Sequence, residues 1–386
     1  MSAEQSLEAR TLTEAAAIPA AVWDTLAGDN PFVSHAFIHG LEHCGCLQPR
    51  LGWKPLHLGL FDGDHCAAVA PGYLKGNSHG EFVFDHAWAE AYHRYGMDYY
   101  PKWLIASPYS PVPGPRLLVG DSDNADSLRA TLAQALLLSG RELGVSSIHI
   151  NFAADSDGEA LPDGDWLRRG GWQFHWHNRG YADFDDFLSR FTAKKRKNVR
   201  QERTKVAASD LRIRMIEGNT ASPAELDAMH GFYAATFQHK GNFPVLNREF
   251  FDWLAEQFGN RLLISMAFDG DKPVAGALFL RSTDTLYGRY WGADVDVPGL
   301  HFELCYYRGI DYCIANNLQR FEPGAQGEHK IARGFEPVPT RSFHHLYDPD
   351  MQRAVRDWLG EEAGWEQRYG EELRRHLPFR QAEPPA

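Results

Sequence analysis

A five-residue stretch that decides the fold occurs twice in this chain, as Leu60-Phe61-Asp62-Gly63-Asp64 and, 207 residues later, as Ala267-Phe268-Asp269-Gly270-Asp271. The Asp-Gly pair is a hairpin signal, because glycine accepts the positive φ that such turns need. In both copies an alternating apolar strand precedes the turn and an Ala-containing apolar strand follows it. One hairpin repeated at a fixed separation indicates an internal duplication.

The order of elements around the two hairpins is also shared. Around the first, apolar spacing predicts a helix at 34–43, strands at 55–61, 67–73 and 81–84, and a helix at 86–95. Around the second it predicts helices at 224–237 and 247–258, strands at 261–268, 273–281 and 285–291, a helix at 300–315 and a strand at 320–322. Strands at 146–152 and 172–176 would complete the first sheet. We therefore predict an α/β (α+β) fold of two tandem domains, 1–181 and 182–386, each a mixed, mainly antiparallel sheet flanked by helices.

Length and composition agree with two domains. A chain of 386 residues exceeds the size at which one hydrophobic core stops growing, and its 44% hydrophobic and 13% aromatic residues can fill two cores. The formal charge is 39 minus 51, or −12, which disfavours a DNA-binding protein that holds nucleic acid along its whole surface. Any site for a polyanion must therefore be local.

The N-terminus lacks a basic start and an apolar block, and no apolar run is long enough to cross a bilayer, so we expect a cytoplasmic protein without a membrane span. Five cysteines without paired metal-ligand spacing are typical of reduced thiols. Histidines recur every four residues beside two of these cysteines, a pattern that could gather a metal for a hydrolase: His35, His39, His43, Cys44 and Cys46. No CxxC or HExxH pattern supports this alternative, and no metal is expected.

A strongly basic segment runs from Lys194 to Lys205, with seven cations against one anion. Arg196, Arg200 and Arg203 fall on one face of the predicted helix, where guanidinium groups can hold phosphate oxygens bidentately. The structural alternative is a solvated helix face. Because the rest of the protein is acidic, the concentration of charge favours a local anion site, with Arg196 and Arg200 holding the phosphate of a small-molecule substrate.

Two C-terminal segments combine polar and aromatic residues, 286–292 and 321–330. The first is predicted to be a strand whose Tyr287, Arg289 and Trp291 point one way and Tyr290 the other. In the second, Gly324 and Gly327 let the backbone approach a ligand. The three residues that follow offer a base, a proton shuttle and a cation, enough for acyl transfer to an amine or hydroxyl.

These patterns define the candidate site. We predict three catalytic residues: Lys330, His329 and Glu328. We predict seven substrate-binding residues: Arg196, Arg200, Tyr287, Arg289, Trp291, Glu303 and Arg333. Structural alternatives remain for individual members, since Arg289 could pair with Glu303 or Glu322 and His329 could cap the following turn.

Several longer motifs resemble those of a known family. They are LYGRYWG at 286–292, LHFELCYYRGIDY at 300–312, FEPGAQGEHKIARGFEP at 321–337, WHNRGYADFDDFLSRFTAKKRKNVRQER at 176–203 and NPFVSHAFIHGLE at 30–42. They resemble a bacterial group of the GNAT superfamily described as peptidoglycan biosynthesis or recognition proteins, relatives of the Fem-type transferases. The resemblance extends from Asn30 to about Leu346.

This resemblance implies an activity. Fem-type relatives transfer an amino acid from aminoacyl-tRNA to a peptidoglycan precursor with a diphosphate-linked sugar, and they have a functional lysine near the final sheet strand, which Lys330 resembles. An acyltransferase with acyl-CoA or aminoacyl-tRNA as donor is therefore expected. One departure concerns residues 292–300, where two aspartates and a proline replace the R/Q-x-x-G-x-G/A loop that holds pyrophosphate in acetyl-CoA-using GNAT proteins. A non-catalytic recognition module on the same fold is the competing interpretation.

Overall fold

Both repeated Asp-Gly turns join antiparallel strands in the computed structural model, which describes residues 7–324 and 327–380. Gly63 and Gly270 take left-handed φ values of 58° and 57°. The strand register also shifts at equivalent places, between Leu60 and Phe61 in the first hairpin and between Ala267 and Phe268 in the second. The predicted repeat is therefore confirmed in backbone conformation as well as in sequence.

The strands are numbered in chain order. They are β1 Glu8–Leu12, β2 Trp53–Pro55, β3 His57–Asp62, β4 His65–Ala70, β5 Gly72–Lys75, β6 Lys102–Ile105, β7 Ser147–Ile150, β8 Leu167–His177, β9 Arg212–Glu217, β10 Leu262–Asp269, β11 Lys272–Arg281, β12 Thr285–Ala293, β13 Arg320–Glu322 and β14 Glu336–Leu346.

The helices are numbered in the same way. They are α1 Ala20–Ala27, α2 His35–His43, α3 His86–Arg94, α4 Ala125–Glu142, α5 Asp155–Glu159, α6 Phe184–Ser189, α7 Ala193–Ala207, α8 Pro223–His239, α9 Arg248–Phe258, α10 Leu300–Phe302, α11 Arg308–Ala315 and α12 Pro349–Arg375. A π-helical turn, Glu303–Tyr307, joins α10 to α11, and a 3₁₀ helix covers Glu328–Arg333. Of the helices in the described residues, none combines the length and apolar character needed to cross a membrane.

The chain forms two units whose boundaries differ from the predicted 1–181 and 182–386. The first unit comprises the described residues of Met1–Gly171 together with Pro339–Arg368, and the second those of Trp172–Val338 and Tyr369–Ala386. The segment after Val338 belongs to the first unit because β14 pairs there with β7, Phe343 opposite Ile150. A pairing between residues so far apart in the chain leaves no local pattern from which a boundary could be predicted.

In the first unit, β1, β3 and β4 form one antiparallel sheet. A second sheet has the order β2-β5-β6-β7-β14, in which β6 and β7 are parallel and the other pairs described are antiparallel. The buried Leu132 and Leu136 of helix α4 belong to the same hydrophobic core as Trp103 and Ile148 of this sheet. The predicted strand at 81–84 is wrong, because Phe82 has a φ of 62° and Glu81 turns inward to Lys102.

In the second unit the strand order is β8-β13-β12-β11-β10-β9. Pairing is antiparallel except between β12 and β13. One face of the sheet forms a core with α6, α7 and the helical segment from α10 to α11, around Trp176, Phe187, Leu304 and Phe321. The predicted mixed, mainly antiparallel α/β class is confirmed, and the parallel pair sets the position of the candidate site.

Candidate functional site

The parallel strands β12 and β13 pair over only three positions. Their last pair joins Tyr287 to Glu322, where β13 ends. Gly324 then takes a φ of 93°, and the chain continues into the 3₁₀ helix that contains the predicted catalytic residues. Residues 325 and 326 of the Gly-rich segment lie outside the described residues. Because the strand stops here, the segment carrying Lys330 lies at the end of the parallel pair.

A β-bulge in β12 changes which side chains share a face of the sheet. Tyr287 lies opposite Leu280 of β11, whereas Tyr290 lies opposite Leu278, so that an extra residue stands between them. Paired residues point to the same face, and residues two apart on a regular strand do so as well. Tyr287 and Tyr290 therefore share one face, and Trp291 points to the other. The predicted orientation, with Tyr287 and Trp291 together and Tyr290 opposite, is wrong because of this extra residue.

Ring contacts agree with this reversal. The Tyr290 ring lies 4.8 Å from that of Tyr233 in α8, and the Trp291 ring lies 4.9 Å from that of His301 in α10. Arg289, the extra residue of the bulge, is half-buried, and its burial lowers the pKa of the guanidinium from its ordinary value. The three predicted ligands of β12 thus face different surroundings.

Lys330 is the most perturbed of the predicted catalytic groups. Its side chain is 2% exposed, and its Nζ donates a hydrogen bond of 2.7 Å to the carbonyl oxygen of Gly324. Burial lowers the pKa of Lys330 to about 7, and the Arg289 cation adds to this effect. The amine therefore exchanges between its charged and neutral forms near neutral pH.

His329 and Glu328 have different hydrogen-bond partners. The Nε2 of His329 lies 2.9 Å from the hydroxyl oxygen of Tyr306, and burial together with the Arg333 and Lys330 cations lowers the pKa of His329. Glu328 is exposed and accepts a hydrogen bond of 2.6 Å from the Tyr369 hydroxyl. Within the described residues no hydrogen bond or ion pair joins Glu328 to Lys330.

A second polar group borders the same strand end. His175 of β8 and Glu322 of β13 are both buried, with 3.9 Å between Nδ1 and Oε1, and Arg320 lies 3.1 Å from the same carboxylate oxygen. Burial, with Arg320 and Lys330 among the neighbouring cations, lowers the pKa of His175 to about 3. Burial and the Glu322 carboxylate raise the pKa of Tyr287. The buried Glu322 carboxylate is a further candidate base. Its approach to His175 was missed in the sequence because β8 is far from β13 in the chain.

The basic helix α7 is present as predicted, but its arginines differ in environment. Arg200 is exposed and donates a hydrogen bond of 2.7 Å to Asp185, and half-buried Arg196 donates one of 3.4 Å to the Phe191 carbonyl oxygen. Arg203 instead turns inward and lies 3.1 Å from Glu303 and 2.7 Å from Asp311. The three arginines predicted to share one anion-binding face are therefore not equivalent.

Two predicted substrate ligands take part in ion pairs that join α7 to the site. Glu303 is 4% exposed and is bound by Arg203 and Arg308. Arg333 is 7% exposed, and it donates hydrogen bonds of 2.8 Å to Glu202 and 3.1 Å to the Tyr307 hydroxyl. Both side chains hold the 3₁₀ helix and the π-helical turn in position through these contacts.

The start of α10 explains the unusual sequence at 292–300. Gly299 precedes the helix with a φ of 92°, and a Cβ atom there would lie 3.3 Å from the Glu202 carbonyl oxygen and 3.5 Å from Val206 Cγ2. Helix α7 thus covers this glycine. In acetyl-CoA-using GNAT proteins the corresponding loop faces pyrophosphate, so the packing of α7 provides a physical reason for the departure from that motif.

The histidine-rich helix α2 shows a packing arrangement. Ring centroids of His35 and His39 are 5.2 Å apart, and those of His39 and His43 are 5.6 Å apart. Cys44 and Cys46 are buried thiols. Across residues 7–324 and 327–380, no group of three side chains has the arrangement of a metal site.

The first unit contains a buried charged cluster that the sequence analysis missed. Lys102 is fully buried; its Nζ lies 2.8 Å from Glu81 and also contacts Asp85. Burial raises the pKa of Glu81 to about 7, and Lys102 holds the pKa of Asp85 below its ordinary value against the opposing effect of burial. These residues are dispersed in sequence, so that no spacing marks them as a cluster.

Two mixed α/β units, with polar groups gathered where a parallel strand pair of the second unit ends, define the class of tandem α/β proteins. The structure of FemX is similar, with 10% identity and a TM-score of 0.52 over 90% of this chain and 100% of that chain. The structure of L-PGS from Bacillus licheniformis is also similar, with 10% identity and a TM-score of 0.50 over 83% of this chain and 92% of that one. At such identities these matches show the fold.

The family is shown by the sequence itself. A model of FemAB-like proteins, described as peptidoglycan biosynthesis/recognition, matches residues 14–381, and the chain belongs to this family. Among curated protein sequences no significant match to this chain was found. The predicted family is thus confirmed, and the catalytic and substrate-binding residues stay predictions.

Proposed function

We propose that this protein is an acyl or aminoacyl transferase whose second unit carries the chemistry. The observation that supports the proposal most directly is the buried amine of Lys330 at the end of the β12–β13 pair, hydrogen-bonded to Gly324. A buried cation stabilises developing negative charge far more strongly than an exposed one, because water does not screen it. Membership of a peptidoglycan biosynthesis and recognition family agrees with such a reaction.

The proposed reaction joins an acceptor amine to the acyl carbon of the donor. The amine attacks the carbonyl carbon, and the charged form of Lys330 stabilises the resulting oxyanion. His329 takes the proton from the attacking amine, and Tyr306, 2.9 Å from its Nε2, orients the imidazole. The intermediate collapses, the carbonyl re-forms, and the donor oxygen or sulfur leaves with the proton.

The proposed acceptor is a phosphorylated small molecule of the cell-wall precursor class. Arg196 and Arg200 are the proposed phosphate ligands, since both lie on α7 and Arg200 is exposed. The donor is proposed to be aminoacyl-tRNA rather than acyl-CoA, because α7 covers Gly299, where a CoA pyrophosphate would otherwise approach. We further propose that the reaction occurs in the cytoplasm.

The test is turnover. The protein is incubated with aminoacyl-tRNA or acyl-CoA and with candidate acceptors, and a mass increment on the acceptor is sought. Lys330→Ala should reduce the rate about a hundredfold or more, as expected for loss of an oxyanion contact. Exposed Lys272→Ala, in the same unit, is the matched control and should leave the rate unchanged.

A loss of about tenfold or less in Lys330→Ala would assign this residue to binding or structure. Thermal stabilisation by nucleotide sugars without any turnover would instead support the recognition module, since a ligand that binds only the native state raises the apparent stability.

A further inference from the structure

Aromatic side chains surround one histidine beside the proposed catalytic turn. The His301 ring has centroid distances of 4.9 Å to Trp291, 5.2 Å to Phe302, 5.4 Å to Tyr306 and 6.2 Å to His329. We call these five residues the aromatic cluster. His329 is exposed, and His301, Trp291 and Phe302 are half-buried, so the cluster is open to solvent on one side.

The ring nitrogens of His301 are available to a ligand. Its neighbour His329 is bonded through Nε2 to the Tyr306 hydroxyl. His301, in contrast, makes no hydrogen bond to any residue in the described part of the chain. At this half-buried position the two ring nitrogens can bond to water or to a ligand.

The ionisable groups that act most strongly on His301 are all basic. They lie on two other elements: His329, Lys330 and Arg333 on the 3₁₀ helix, and Lys240 after α8. Trp291 on β12 and Tyr306 on the π-helical turn add ring contacts to its surroundings. Burial and these basic groups lower the pKa of His301 to about 4, so that it is neutral at physiological pH.

We infer that His301 binds an anionic oxygen group of the substrate, a carboxylate or a phosphate, beside the Trp291 indole. That this anion belongs to a substrate rests on the proposed function. A neutral imidazole offers one N–H donor, and the surrounding cations attract an anion. The bound anion offsets their repulsion of a proton on His301, so the pKa of His301 should rise in the complex.

Anion binding can be measured without any turnover. Histidine side chains are labelled with ¹⁵N in the full-length protein, and the His301 signals are assigned by their loss in His301→Gln. Sulfate is then added as a tetrahedral oxyanion and acetate as a carboxylate. One of them should shift the His301 signals saturably, and a pH titration in its presence should show a raised His301 pKa, while exposed His239 serves as the control.

The anion that saturates identifies the chemistry, since sulfate mimics a phosphate group and acetate a carboxylate. His301→Gln should bind that anion about tenfold more weakly or worse, the effect expected of one charged hydrogen bond. Retained spectral dispersion in His301→Gln shows that the variant is folded. Unshifted His301 signals with both anions, or equal affinity in wild type and His301→Gln, would overturn the inference.

Kinetics provides a second readout where transfer is detected. His301→Gln should raise the KM for the anionic substrate with kcat largely retained, because binding rather than chemistry is lost. A failure of turnover with intact saturable binding at His301 would refute the proposed function and leave the anion site standing. Turnover without saturable anion binding at His301 would support the proposed function and refute the anion site.

Discussion

Acid should destabilise the second unit through His175, and Gln in its place should remove that sensitivity. The imidazole is 3% exposed; its Nε2 donates to the Gln173 side-chain oxygen at 3.3 Å, and its Nδ1 lies 3.9 Å from the Glu322 carboxylate. Burial and neighbouring cations, led by Arg320, lower its pKa to about 3. The native state therefore keeps His175 neutral, whereas an unfolded chain takes up a proton near the ordinary histidine pKa of about 6.5.

The direction and size of the effect follow from proton binding. A folded pKa below the unfolded value means that the unfolded state binds more protons between about pH 6.5 and pH 3, so stability falls as the pH falls through this window. At about pH 5, which is roughly 1.5 pH units below the ordinary histidine pKa, protonation of His175 in the unfolded state lowers the unfolding free energy by about 2 kcal/mol. His175→Gln lacks this titration. The difference in unfolding free energy between wild type and variant should therefore narrow by about 2 kcal/mol between about pH 7 and pH 5.

Urea denaturation at a series of pH values measures this difference. Tryptophan fluorescence and far-UV circular dichroism should give coincident transitions, which justifies a two-state free energy. His239→Gln, at an exposed position in the same unit, is the control for the chemical change alone. A wild-type-to-variant difference that is the same at about pH 7 and pH 5 would refute the reasoning, because His175 would then be protonated in the native state as easily as in the unfolded one.

Two further predictions concern packing and buried charge. Gly292→Ala should lower the unfolding free energy by about 2 kcal/mol or more, because its Cβ would lie 2.1 Å from the Phe232 carbonyl oxygen. Gly231 of α8 is the control, since a Cβ there would have no neighbouring atom within 4 Å. Gly231→Ala should therefore leave the unfolding free energy unchanged or raise it by up to about 1 kcal/mol. Equal urea midpoints for the two glycine variants would contradict this assignment. Lys102→Met should lower the unfolding free energy by about 3–5 kcal/mol, since it leaves the buried Asp85 carboxylate without the cation that keeps it ionised, and a melting temperature close to that of wild type would show that the carboxylate is protonated or hydrated instead.

Local patterns predicted most of the elements, because the physical causes are local. The Asp-Gly turns place a glycine where φ must be positive, and apolar alternation marks the strands on either side. The strand at 320–322 and the helices of the second unit lie where spacing placed them. The strand predicted at 81–84 failed because its conformation has a cause that is not local. Glu81 accepts a hydrogen bond from Lys102, which lies about 20 residues later in β6.

The candidate site could be predicted only where its residues are close in sequence. His329 and Lys330 belong to one motif, and both lie at the end of the parallel pair. His175 and Glu322 approach each other only because β8 pairs with β13, about 150 residues later in the chain. His301 gave no signal either, since its aromatic neighbours come from three separate segments. Long-range strand order and one extra residue in β12 therefore determine the parts that local spacing could not predict.

Helix α7 shows why a charge pattern alone does not identify ligands. Its Arg203 serves an internal network with Glu303 and Asp311, which lie about 100 residues later in the chain. A charge reversal at Arg203 would remove one of the cations that pair with the buried Glu303 and would destabilise the unit. Ligand binding would then fall because the protein is less stable, whether or not Arg203 contacts the ligand. Arg200 is exposed and has a surface ion pair, which contributes little to stability. A proposed phosphate site on α7 is therefore tested cleanly at Arg196 and Arg200, where a loss of binding without a loss of stability can be attributed to the ligand.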